Sequence, residues 1–69
     1  MPLNTQPNIA RPDDFYQDLI DLHRDKTKDE SEVINAKLIL LLANHIGDTE
    51  VLAEAMQIAG REAEAQAAA

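Results

Sequence analysis

The chain has 69 residues, no cysteine and a formal net charge of −7 at pH 7. This length permits one domain, and the lack of cysteine excludes disulfides and thiolate metal sites. The negative charge disfavours contact with nucleic-acid phosphates and with anionic lipid surfaces. A domain this small is only marginally stable alone, so oligomerisation is the expected support.

The first eleven residues contain Pro2 and Pro7 and show no helical periodicity. Because proline disfavours helix in the residue before it, we predict that residues 1–11 form an extended, partly disordered arm. The arm has no basic region followed by an apolar run, so no secretory signal is predicted. The longest apolar run is too short for a bilayer span of about 20 residues. We therefore expect a cytoplasmic protein without membrane contact.

The first helix is predicted over residues 12–25. Proline is tolerated in a first helical turn, and Asp13 and Asp14 favour the positive end of the helix dipole. On a helical wheel one arc collects nearly all the large apolar side chains of this segment, and we expect that arc to be buried. The arc comprises Phe15, Tyr16, Leu19, Ile20, Leu22 and His23.

Two further helices have clear termini. The segment from Thr27 to Glu30 has the capping-box pattern, and Gly47 favours a helix end just before it, which predicts a second helix over residues 28–46. Asp48 is suited to cap a third helix over residues 49–60. The alanine-rich residues 61–69 either prolong that helix or fray. The predicted inner face of the third helix comprises Val51, Leu52, Ala55, Met56, Ile58 and Ala59.

These elements predict an all-α fold, a small three-helix bundle occupying residues 12–60. The central helix is apolar around most of its circumference, with Lys37 and Asn44 forming one narrow polar stripe. Helices on either side of it can cover only part of that surface. We therefore predict a homodimer through the central helix, whereas a larger protein partner, or cover by the arm and tail, are the alternatives. The candidate interface residues are Leu38, Ile39, Leu41 and Leu42.

The sequence contains no clear catalytic motif. The polar residues of interest are His23, Asn35, Asn44 and His45. A histidine within an apolar arc is more often a packed side chain than a ligand, and the spacing of the two histidines matches no metal signature. Ser31 is the single serine, and no base is spaced along the sequence to activate it. We predict no catalytic residue, no metal site and no cofactor.

Several short motifs in the sequence resemble those of a family of small bacterial proteins of unknown function. They are Pro-Asp-Asp-Phe-Tyr at residues 12–16, His-Arg at 23–24, Asn-Ala at 35–36 and Ala-Asn-His-Ile-Gly-Asp at 43–48. The resemblance covers roughly residues 12–56. It implies an accessory role beside enzymes that degrade aromatic compounds, including flavin-dependent monooxygenases.

The sequence therefore supports two candidate functions. The first is a non-catalytic interaction module, a small accessory subunit that presents a helical surface to a larger protein. The alternative is a homodimer that binds or senses a small ligand, with His23 and His45 near a pocket at the interface.

Overall fold

A computed structural model describes residues 2–68, together with the side chains as far as residue 66. The fold is all-α, a small three-helix bundle that is 75% helical and has no strand in its described part. The helices are α1 (Pro12–His23), α2 (Lys28–Ile46) and α3 (Thr49–Ala68). Residues 2–11 precede them without regular secondary structure. The predicted fold class is thus confirmed.

Helix α1 begins as predicted and ends two residues early. Pro12 lies in its first turn, and the guanidinium of Arg11 lies 2.6 Å from the carboxylate of Asp14. At the other end, Arg24 has the extended angles φ −62° and ψ 134°. Asp25 follows in the left-handed region with φ 60°, which the helix does not accommodate. The expected extension to residue 25 is therefore wrong.

Both ends of α2 are fixed by the predicted local chemistry. The Thr27 hydroxyl accepts from the backbone N–H of Glu30 at 3.1 Å, and the Glu30 carboxylate accepts from that of Thr27 at 3.0 Å. Gly47 takes the left-handed conformation with φ 71°, and its N–H donates to the carbonyl of Ala43 at 2.8 Å. These bonds satisfy groups that a helix end leaves without intrahelical partners.

Helix α3 begins immediately after this turn. The Asp48 carboxylate accepts from the backbone N–H groups of Glu50 and Val51, at 3.0 and 3.2 Å. The helix then continues through Gly60 to Ala68, past the predicted end at residue 60. A glycine costs a helix about 1 kcal/mol relative to alanine, and the alanine, glutamate and glutamine residues that follow favour helix strongly enough to continue it. Residue 69 lies outside the described chain.

The three helices share little packed surface. No side chain in the described part of the chain is buried, and the radius of gyration is 13.9 Å, against about 11 Å for a compact domain of this length. Half-buried positions mark where the helices approach one another. On the helices these are Leu19, His23, Ser31, Ile34, Leu38, Ala43, Val51, Leu52, Ala55 and Ile58.

The prediction of a buried arc on α1 is therefore wrong. Only Leu19 and His23 of that arc are half-buried, whereas Phe15 and Tyr16 are 41% and 67% exposed. On α3, Met56 of the expected inner face is 68% exposed. Apolar periodicity identifies the helix face whose burial would be favourable. It does not show whether a neighbouring element covers that face.

Candidate functional site

Helix α2 carries six of the twelve large apolar side chains that are exposed in the described part of the chain. Of the four candidate interface residues, Leu38 is half-buried against the rest of the chain. Ile39, Leu41 and Leu42 are 64%, 70% and 49% exposed, and their neighbour Leu40 is 69% exposed. Contiguous apolar exposure of this kind marks a site of association.

The apolar surface of α2 divides into two sides. Ile34 and Leu38 lie on the side that faces α1 and α3 and are half-buried. A row on a different side consists of residues spaced by four, three and four positions, and every member is exposed. We call this row the α2 seam, and it comprises Asn35, Ile39, Leu42 and Ile46.

A hydrogen bond between two side chains joins α1 to α2. His23 Nδ1 and Ser31 Oγ lie 2.9 Å apart, and the donor depends on the imidazole tautomer. Both side chains are half-buried. The sequence prediction that no base is placed to activate Ser31 is therefore wrong. The available signal was the short connection of residues 24–27, which forces the end of α1 to lie beside the first turn of α2.

The other candidate polar residues do not join this pair. Asn35, Asn44 and His45 are exposed. Fourteen residues separate Ser31 from His45 along α2, which corresponds to about 21 Å of helix. Within one chain, a small molecule at His23 therefore does not reach His45. Over residues 2–68, no group of three or more histidine or acidic side chains is arranged to hold a metal ion.

Two kinds of carboxylate contact shape the electrostatics of the helix ends. Hydrogen bonds from the backbone and then the side chain of Thr27 lower the pKa of Glu30 from its ordinary value of 4.5. On the outer side of α1, Asp21 accepts from Arg24 at 2.8 Å and from Gln17 at 3.0 Å. The carboxylates of Glu30 and Asp21 are therefore both engaged in contacts with residues within four positions along the chain.

The N-terminal arm is attached to α3 by its backbone. The Leu3 N–H donates to the Glu54 carboxylate at 3.0 Å, and the Leu3 side chain is half-buried. Ile9, by contrast, is 56% exposed. The arm thus contacts the helices near its start and leaves the α2 seam uncovered.

Comparison with known proteins places the chain in a family. The family described as "Protein of unknown function (DUF2783)" matches residues 3–61. The chain belongs to the DUF2783 family. No curated protein and no solved structure matches it. The DUF2783 match includes most of the arm, all of α1 and α2, and α3 as far as Arg61, so the α2 seam and the His23–Ser31 pair both lie within the family region.

The expected resemblance to a family of uncharacterised small proteins is thereby confirmed at that level. None of the helices in residues 2–68 of this DUF2783 protein is long and apolar enough to cross a membrane.

Proposed function

We propose that this DUF2783 protein is a non-catalytic interaction subunit of the cytoplasm, which works by presenting α2 to another protein chain. The observation that carries the proposal is the exposure of Ile39, Leu40 and Leu41, each at least 64% accessible on one helix. Burying an apolar side chain of this size stabilises an association by about 1.5–3 kcal/mol. Successive residues of a helix lie about 100° apart, so these three side chains offer apolar area on more than one side of α2, and a contact that buries any of them is favoured.

The geometry of the His23–Ser31 pair supports a non-catalytic role. A serine activated by histidine also needs a group that orients the imidazole and donors that stabilise the developing oxyanion. In the described chain, the side chain of His23 makes one hydrogen bond, to Ser31, and no carboxylate bonds to its ring. The pair acts in this proposal as a tether between α1 and α2.

The accessory role implied by the family resemblance is part of the proposal. A larger enzyme of aromatic-compound degradation is the proposed partner, and α2 is its docking surface. The test is affinity capture of the tagged protein from lysate of its own source, grown on aromatic and non-aromatic carbon sources, followed by mass spectrometry.

The decisive comparison is between the natural chain and Leu41→Asp, which places a charge at a leucine whose side chain is 70% exposed. We expect one enzyme to be enriched near stoichiometry with the natural chain and lost with the variant. Asp18→Asn, on the outer side of α1, serves as the control that keeps binding. Capture that is identical with Leu41→Asp, or that yields no enzyme on any carbon source, would contradict the accessory role.

A second candidate function is the binding of a small ligand beside His23. An open groove of about 480 Å³ there is lined by Tyr16, Leu19, Ile20, His23 and Arg24. Its aromatic side chain suits an aromatic ring, and a carboxylate on the ligand would have to share the Arg24 guanidinium with Asp21, which lies 2.8 Å from it. A ligand that binds the native state raises the melting temperature, so a thermal-shift screen of aromatic acids and flavins tests this function. Absence of any shift at millimolar ligand, or an equal shift in His23→Ala, would remove it.

A further inference from the structure

We infer that the occupant of the α2 seam is a second copy of this chain, so that two copies associate with α2 against α2. This inference goes beyond the proposed function, because it assigns the α2 seam to a second copy and leaves the exposed Leu40 side of the same helix to the proposed enzyme. It requires that the seam is exposed in one copy, that it is complementary to itself and that enough area is available to hold two copies together.

The available area matches a permanent dimer. The chain exposes 6296 Å², whereas a compact protein of 7.6 kDa exposes about 4,300 Å². One copy therefore carries an excess of about 2,000 Å², and two copies about 4,000 Å². The excess is spread over the whole chain, including the arm and the end of α3, so the seam accounts for only part of it. Obligate homodimers bury about 2,000–5,000 Å² in total, and two copies expose enough surface for a contact of that size.

The spacing of the seam suits pairing with an identical helix. Positions 35, 39, 42 and 46 alternate steps of four and three residues, which is the repeat that keeps a stripe facing a partner helix in knobs-into-holes packing. A twofold dimer brings the same surface of each copy together. Ile39, Leu42 and Ile46 provide such a surface, since apolar side chains complement their own kind.

Charge also favours a second copy on this surface. Two chains with a net charge of −7 repel each other, so a stable contact has to avoid the acidic residues. The segment from Val33 to Gly47 contains none of the thirteen acidic residues of the chain. Its only lysine, Lys37, lies about 160° around the helix from Ile39 and stays outside the contact.

The one polar member of the seam fits the same arrangement. Asn35 is exposed and makes no side-chain hydrogen bond in the described part of the chain. An asparagine within an apolar helix interface bonds across it and fixes the register of the two helices. Asn35 is thus the proposed register residue of the dimer.

The test is the mass of the purified protein in solution, measured by sedimentation at 1–100 µM (a span of about two decades around ordinary dimer affinities). We expect twice the chain mass for the natural protein. Leu42→Glu should convert it to the chain mass and lower the dimer affinity by at least about 100-fold. Leu40→Glu is the matched control, because Leu40 is 69% exposed on the same helix and lies about 160° around it from Leu42. It should remain a dimer.

A second measurement keeps the inference testable where a charged variant fails to fold. Because the chain has no cysteine, Ile39→Cys introduces a single thiol, and a short thiol–thiol cross-linker should join two copies. Lys37→Cys, on the opposite side of α2, should give no cross-link. Equal cross-linking of both variants would overturn the seam assignment.

The outcomes also separate this inference from the proposed function. A natural protein that sediments at the chain mass throughout overturns the dimer, and an enzyme captured through α2 would then still support the accessory role. Dissociation by Leu40→Glu with an intact Leu42→Glu dimer overturns the seam. A dimer with the expected variant pattern supports the inference, whatever the capture experiment yields.

Discussion

At the scale of single residues, the His23–Ser31 bond is the one side-chain hydrogen bond between helices in the described chain. It joins the last residue of α1 to the first turn of α2 at 2.9 Å, and both partners are half-buried. A typical hydrogen bond of this kind contributes about 0.5–1.5 kcal/mol to the free energy of unfolding. Because none of the side chains that the structure describes is buried, that contribution is a substantial part of what holds α1 in place.

We expect His23→Ala to lower the free energy of unfolding by about 1 kcal/mol. Ser31→Ala should cause a similar loss, and the double variant should lose little more than either, because the two side chains share one bond. His45→Ala, an exposed residue, should change stability little. Denaturant titrations measure all four, and strictly additive losses would show that the bond is not formed in solution.

The Glu30 carboxylate gives a pH dependence to the start of α2. Hydrogen bonds from Thr27 lower the pKa of Glu30 in the folded chain. A group with a lowered folded pKa adds stability that is complete above its unfolded pKa and is lost as pH falls through the folded pKa. The stabilisation by the Glu30 carboxylate is therefore complete above the ordinary pKa of the residue and is lost progressively as the pH falls below it.

We expect the natural chain to melt higher than Glu30→Gln at neutral pH, with the difference shrinking as the pH falls below 4.5, the ordinary pKa of the residue. Melting temperatures recorded from pH 7 to pH 3 measure this. Glu32→Gln, which removes no capping bond, is the matched control on the same turn. A difference that stays constant across the range would show that the charge of Glu30 does not take part in the cap.

At the scale of whole elements, the positions of the helix termini can be predicted from local sequence, whereas the exposure of the helix faces cannot. Thr27 and Gly47 set the ends of α2 where the sequence predicted them, since each acts through backbone bonds within a few residues. Phe15 and Met56 were expected to be covered and are exposed, because their cover depends on a neighbouring element. The His23–Ser31 bond was missed for the same reason, since it depends on how one connection folds back.

Replacing each of the two glycines with alanine is expected to change the stability of the protein in opposite directions. Gly47 has φ 71°, and an added Cβ would meet only the Asn44 carbonyl oxygen at an ordinary 3.7 Å, so Gly47→Ala carries a purely conformational cost of about 1–2 kcal/mol. An added Cβ at Gly60 meets nothing within 4 Å, so Gly60→Ala should stabilise α3 by up to about 1 kcal/mol. Thermal unfolding of both variants measures the pair, and a shift in the same direction would contradict the assigned conformations.

At the scale of the whole molecule, the amino-acid composition helps to explain why none of the described side chains is buried. Eleven alanines raise the apolar fraction of the sequence without adding much area to bury, and eight of the twenty larger apolar side chains lie on α2. The sequence therefore predicted three helices and an uncovered central one. It did not predict how loosely the helices would pack, because packing density is a property of all three together.

If two copies complete the fold, stability has to depend on protein concentration. We expect the melting temperature to rise steadily as the concentration is increased from about 1 to 100 µM, since mass action favours the associated state. Leu42→Glu should melt at a lower temperature that does not change with concentration. Scanning calorimetry or circular dichroism measures both, and a natural chain with a constant melting temperature would exclude coupling between folding and association.

The exposure of the side chains in residues 2–66 also bears on how long the protein persists in a cell. Proteases act on the open population of a chain, and that population is large when no interior holds the helices together. If two copies associate through the α2 seam, a lone copy is short-lived, whereas an associated copy is protected. The steady-state amount of the protein should therefore rise faster than its rate of synthesis, so that a modest change in expression is converted into a much larger change in the number of functional molecules.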